Sequence, residues 1–233
     1  MARISVLQLD THFPRVAGDI GCHETFQCEL EIIKVPNASV AKIVTDTPQE
    51  IELAPFVEAA SKATGDLITT SCGFLAPFQD ALVNECKAPF IGSALEQLRS
   101  LQKTHTPQEL KIFTFDASKL NRAHLPNGCE AFESSIIGLD EHSHLRNVIE
   151  NDLLELDPKK AKADIDLIAN EFGKNTKSVL LECTNLPPYK VEMNKNKSIK
   201  IFDILTAIEA IMPNSVNPHY LSPQSEMEKK NER

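Results

Sequence analysis

The sequence has no apolar run of membrane-spanning length and no cluster of Lys and Arg. A spanning helix needs about 20 consecutive apolar residues, and phosphate backbones are bound by clustered cations. Here 24 Lys and Arg are outnumbered by 33 Asp and Glu, for a net charge of −9. Neither a membrane nor a nucleic acid is therefore an expected partner. The acidic balance also weakly disfavours long-range attraction of an acidic substrate, although backbone N–H groups at helix starts can hold a carboxylate locally. No secretory leader is read either, since Met1-Ala2-Arg3 passes straight into a strand-like run, and a cytoplasmic protein is expected.

Metal and cofactor signals are equally thin. His12, Cys22 and His23 fall in one loop with Cys28 just after it, but their spacing matches no common zinc pattern and no second pair completes them, so no metal is expected. His142 and His144 are two apart and cannot share one face of a helix. No lysine sits in a recognisable Schiff-base setting. The six cysteines are expected to be free thiols, the default in a cytosolic chain of this size.

What is present is an α/β pattern in a chain long enough for one large or two small cores. Two cysteines end strands in the same way. Asp66-Leu67-Ile68-Thr69-Thr70-Ser71-Cys72-Gly73 and Ser178-Val179-Leu180-Leu181-Glu182-Cys183-Thr184-Asn185 each read as a short apolar strand, then cysteine, then the start of a new element. A thiol just before a helix N-terminus meets unpaired N–H groups and the positive end of the macrodipole, which favour the thiolate. Ligands of open α/β sheets bind outside the carboxyl ends of strands. Two such thiols facing one cleft would make a symmetrical acid and base.

In chain order, Arg3 to Leu9 reads as a buried parallel strand, with Asp10-Thr11 at its carboxyl end. On spacing alone Asp10 is a turn or cap residue. Residues 12–27 form a long loop with Pro14, Gly18 and Gly21, best read as a substrate-covering loop. Cys28 to Val35 alternates as a half-exposed strand, and a further strand is expected near Val40 to Val44. Thr47-Pro48-Gln49-Glu50 reads as a capping box opening a helix that packs Leu53, Phe56, Val57 and Ala60 on the sheet and ends at Gly65. Helices are expected from Leu75 to Val83 and Ala94 to Leu101, with a short strand at Pro89 to Ser93 between them. The second half opens with a strand over Glu109 to Phe115, although Thr106 to Glu109 imitates a capping box. Ser135 to Asp140 is a strand. Asp157-Pro158 caps a helix with Ala161, Ile165, Ile168 and Phe172 at helical intervals. Ile201, Ile204, Leu205, Ile208 and Ile211 stripe a last helix that crosses back to the first lobe. The tail after Pro213 is polar and aperiodic.

Leu9-Asp10-Thr11, Thr70-Ser71-Cys72-Gly73-Phe74 and Leu181-Glu182-Cys183-Thr184-Asn185, in this order and spacing, resemble the aspartate/glutamate racemase superfamily. These are cofactor-independent racemases whose relatives include hydantoin racemases, maleate isomerases and arylmalonate decarboxylases. The resemblance implies two pseudo-symmetric lobes, each a mostly parallel sheet flanked by helices, with the active site in the cleft between them. The first lobe is expected to comprise residues 1–98 plus 203–233 and the second 99–202. It implies an isomerase of amino-acid metabolism, a racemase or epimerase of an amino acid or related carboxylate, needing no pyridoxal phosphate or other cofactor. Cys72 and Cys183 would be acid and base on opposite faces of the α-carbon, with Asp10 supporting Cys72. Substrate would meet Thr11, Gly73, Phe74, Thr114, Thr184 and Asn185. Glutamate racemases carry asparagine and threonine after the first cysteine and histidine where Asn185 stands, so a bulkier or less polar substrate than glutamate is expected. The alternatives are cis–trans isomerisation or decarboxylation of a dicarboxylate on the same fold, and a catalytically silent ligand-binding relative. A homodimer is an expectation from the family alone.

Overall fold

Eight short strands rich in Ile, Leu, Val and Phe form two four-stranded parallel sheets in the computed structural model, which describes residues 2–194 and 199–222. The strands are β1 (Arg3–Leu9), β2 (Glu29–Val35), β3 (Leu67–Thr70), β4 (Phe90–Ile91), β5 (Leu110–Thr114), β6 (Ile136–Gly138), β7 (Ser178–Leu181) and β8 (Lys200–Phe202). The sheet orders are β2-β1-β3-β4 and β6-β5-β7-β8, one topology used twice. In each, the first strand of its half lies between the second and the third. Central strands covered on both faces read as continuous apolar runs, and β1, β3, β5 and β7 are almost wholly buried.

The helices are α1 (Val40–Ile43), α2 (Ala54–Lys62), α3 (Gln79–Val83), α4 (Leu98–Leu101), α5 (His144–Glu150), α6 (Pro158–Asn170), α7 (Lys190–Asn194) and α8 (Ile204–Ile211). The described residues include no helix long and apolar enough to cross a membrane. Asp157 caps α6 by accepting from the N–H groups of Lys159 and Lys160, as its sequence implies. Asp203 caps α8, and its carbonyl accepts from Gln97 Nε2 at 2.8 Å, which ties α8 to the turn after β4.

Four sequence expectations are corrected. Val40 to Val44 is helical rather than extended, because Val40, Ile43 and Val44 are buried at i, i+3 and i+4 while Ala41 and Lys42 face solvent. The capping box at Thr47 closes only a single 3-10 turn, Pro48–Glu50, in which Thr47 Oγ1 donates to Glu50 Oε2 at 3.0 Å. The helix starts later, at Ala54, since Pro55 is tolerated only in a first turn. Gly73–Phe78 is likewise a 3-10 segment containing Pro77, and α-helix begins only at Gln79. Ile201 belongs to β8 and not to the last helix. The reading of the polar tail falls, for residues 223–233, outside the described residues.

Candidate active site

Strand register brings the two cysteine motifs to equivalent places. Leu7 pairs with Thr70 and Phe113 with Leu181 at the carboxyl ends of the central strands. One further ladder bond follows in each half: Ser71 N–H to Leu7 O at 3.1 Å, and Glu182 N–H to Phe113 O at 2.9 Å. The cysteine is the next residue both times, and its carbonyl accepts from the N–H three residues on, Leu75 or Leu186, at 3.2 Å. Thr184 Oγ1 donates to Ser71 O at 2.8 Å, joining one motif to the other.

Between the motifs lies a narrow cavity, partly open to solvent. Cys72, Gly73, Phe74, Cys183, Thr184 and Asn185 all line it, together with Ser71, Glu182, Phe13, Arg15 and the apolar side chains of Leu9, Val40, Val44, Phe115 and Ile149. Both sulfurs belong to buried residues, and Cys72 is among the groups that raise Cys183. Cys183 Sγ donates to Asn185 Oδ1 at 3.6 Å. The Asn185 amide in turn donates to the Asp19 carboxylate.

Three residues named from the sequence lie elsewhere. Asp10 does not line the cavity. Its N–H bonds to Ala38 O at 3.0 Å, and the charged groups acting on Cys72 are Glu182 and Arg15 instead. Thr11 stands behind the wall, where its hydroxyl accepts from Arg15 Nη2 at 3.2 Å. Thr114 approaches the Glu182 carboxyl and holds it down somewhat, although no hydrogen bond of ordinary geometry joins them.

The expected lowering of the thiols by a helix start is outweighed by burial. Burial pushes both Cys72 and Cys183 upward, and the Glu182 charge adds to it; backbone N–H groups at Phe74 and Asn185 pull the other way. Glu182 itself, 1% exposed, is raised to about 7 by burial.

Arg15 and Asp19 come from the loop after β1. Arg15 Nη1 pairs with Asp19 Oδ1 at 2.9 Å, with side chains only 9% and 2% exposed. Its guanidinium carbon lies 4.8 Å from the centre of the Phe13 ring. Gly21 N–H donates to Asp19 Oδ1 at 2.7 Å, and Gly18, at φ +101°, takes a turn that suits glycine. Asp152 anchors the same loop to the second half of the chain, accepting from the N–H groups of His12 (2.6 Å) and Phe13 (3.0 Å) and contacting His12 Nδ1 at 2.8 Å. Neither Arg15 nor Glu182 was singled out by sequence pattern. The available signals were an arginine inside a long loop beside a strand end, and an acidic residue at the buried end of an apolar strand.

No family model matches the chain. It is 26% identical over 244 residues to dimethylsulfoniopropionate lyase 7 of Emiliania huxleyi (strain CCMP1516), covering 94% of this chain and 71% of that protein. It is 24% identical over 239 residues to dimethylsulfoniopropionate lyase of Durusdinium sp. clade D, covering 94% and 77%. Among solved structures it superposes on allantoin racemase from Pseudomonas fluorescens with a TM-score of 0.58 at 10% identity, over 96% of this chain and 98% of that one. For the Picrophilus torridus aspartate racemase the values are 0.54 and 14%, over 96% and 100%. Glutamate racemase and arylmalonate decarboxylase structures match in the same way. The chain thus shares its fold with these racemases and with arylmalonate decarboxylase.

Proposed function

We propose that this chain is a cofactor-independent enzyme that removes the proton from the carbon next to a carboxylate, with Cys72 and Cys183 as its acid–base pair, and that it is a lyase. The carrying observation is that two thiols from equivalent strand ends line one cavity that also holds a buried arginine. A guanidinium has five N–H donors; Arg15 gives two to Asp19 and Thr11 and keeps others for a substrate carboxylate. Its charge would stabilise the enediolate formed when that carbon loses its proton.

The relatives' names supply the chemistry to test. In dimethylsulfoniopropionate, a thiolate takes the proton from the carbon beside the carboxylate. The C–H electron pair becomes the new C=C bond, the neighbouring C–S bond breaks, and its pair leaves on sulfur. Acrylate and dimethyl sulfide result, with one thiol left protonated. Elimination needs a single base, and the apolar wall of Leu9, Val40, Val44 and Phe115 suits a methylated leaving group better than a polar one.

A second reading, racemisation of an amino acid or related carboxylate, is favoured by the equivalent placement of the two thiols, since inversion needs an acid on one face and a base on the other. Proton NMR in D₂O separates the two. Wild-type enzyme is incubated with dimethylsulfoniopropionate and with D- and L-amino acids, hydantoins and dicarboxylates. Vinyl signals from the sulfonium compound establish the lyase; loss of an α-proton signal without vinyl product establishes the racemase. If no compound changes, the enzymatic reading fails and a silent ligand-binding relative takes its place.

A further inference from the structure

Among the described residues lining the cavity, Glu182 carries the carboxyl whose oxygens make no hydrogen bond of ordinary geometry; it is 1% exposed, and the Thr114 hydroxyl approaches it without completing it. Buried polar atoms are almost always paired, so an unpaired carboxyl on a cavity wall marks the place of an absent partner. Both motifs maintain it. The second supplies the side chain, fixed by the ladder bond from Glu182 N–H to Phe113 O. The first supplies the room, because a Cβ on Gly73 would stand 2.1 Å from Glu182 Oε1 and 2.5 Å from its carbonyl oxygen. Arg15 bonds Asp19 and Thr11 and makes no hydrogen bond to the Glu182 carboxyl. On the wall of the same cavity the Phe74 and Phe115 rings meet edge to face with centroids 6.5 Å apart, and ring faces attract cations.

We propose that Glu182 is a specificity-determining residue, the counter-ion for a positive charge on the substrate, with Phe74 and Phe115 beside it. Resting on the carboxylate-binding reading above, this makes the substrate a small zwitterion: its carboxylate goes to Arg15 and its ammonium or onium group to Glu182. The arrangement also links loading to chemistry. The charge of Glu182 opposes ionisation of both thiols, and a substrate cation beside it cancels that opposition. The other charged or titratable groups around the cavity are Cys72, Cys183, Arg15 and Asp19.

Calorimetric binding of two isosteric ligands tests this. One is 3-(trimethylammonio)propionate; the other, 4,4-dimethylpentanoate, replaces the cationic nitrogen with carbon. Wild type at pH 8 is expected to prefer the cation by at least tenfold, to lose most of that preference at pH 5.5 where Glu182 is protonated, and to have none at either pH in Glu182→Gln. Equal affinities in wild type, or a preference that survives in Glu182→Gln, overturn the assignment and leave the carboxylate site standing. If neither ligand binds wild type, the carboxylate reading falls and this inference with it. β-Alanine, measured alongside, separates the two cation types: tighter binding than the trimethyl compound identifies an ammonium substrate, weaker binding an onium one. Near-UV circular dichroism verifies that the variant is folded, and the wild-type comparison stands without it.

Discussion

A carboxyl that burial raises to about 7 reports on stability as well as on chemistry. In an unfolded chain a glutamate titrates near 4.3. Between those values the folded state holds more protons than the unfolded one, so the Glu182 contribution falls as pH rises. Glu182→Gln never ionises and escapes the loss. It should match wild type below about pH 4 and exceed it by about 3 kcal/mol at pH 8. Denaturant titrations of both proteins at pH 5 and pH 8 check this, and a difference that does not grow with pH contradicts it. At this scale the thiols were legible in sequence because each follows its strand by a purely local pattern. Arg15 was not, since only the folded loop turns it inward against Asp19 and Phe13. Glu182 sat within the quoted motif yet carried no pattern of its own; its partnerless burial exists only once Gly73 packs against it.

At the scale of elements, the two turns after the central strands are matched halves that touch. Gly73→Ala drives a methyl into the Glu182 carboxyl and its carbonyl oxygen. Overpacking of this kind costs about 1–3 kcal/mol, and thermal denaturation should show the loss. Glu182→Ala in the same chain should return only part of it, because the carbonyl contact remains. The loop after β1 depends on Asp152, whose carboxyl is lowered below its ordinary value chiefly by the His12 and Phe13 bonds against the cost of burial. Asp152→Ala removes those bonds, so limited proteolysis should cut within residues 12–27 faster than in wild type; unchanged cleavage contradicts the anchoring role. Proline explains two of the four corrected elements. Pro55 and Pro77 both stood in the sequence as reasons why a helix could not run through them, but the capping box at Thr47 outweighed Pro55, and Pro77 passes for a proline of the first turn. Val40, Ile43 and Val44 had helical spacing all along, hidden by β-branched composition that favours strands.

At the scale of the whole molecule, sheet content and strand order follow from two repeats of one topology; the family resemblance implied two matched lobes, and the strand order within them was not read from the sequence. How the chain closes on itself was less so. Lys190, 3% exposed, forms an ion pair with the fully buried Asp203 at 2.5 Å and donates to Tyr220 O. It thereby joins α7, the cap of α8 and the segment beyond. That segment pairs with the loop after β1 through Phe26 and Val216, and through Gln27 N–H to Ser215 O at 2.8 Å. Such contacts depend on residues far apart in sequence and show no periodicity. Breaking a buried pair leaves an uncompensated charge, so Lys190→Met should cost about 3–5 kcal/mol in denaturant titration. A loss under about 1 kcal/mol would mean that surface-like screening reaches this pair.

The central claim is that Cys72 and Cys183 together form one acid–base site. It is tested most directly by comparing wild type with Cys72→Ser and Cys183→Ser in D₂O, on whichever carboxylate the wild-type survey shows to react. Loss of a positioned acid or base costs about 10²–10⁴-fold. At least one substitution should therefore depress proton removal by 10² or more, and in a racemase each should leave exchange confined to one enantiomer. Turnover that survives both substitutions within a few fold would contradict the account.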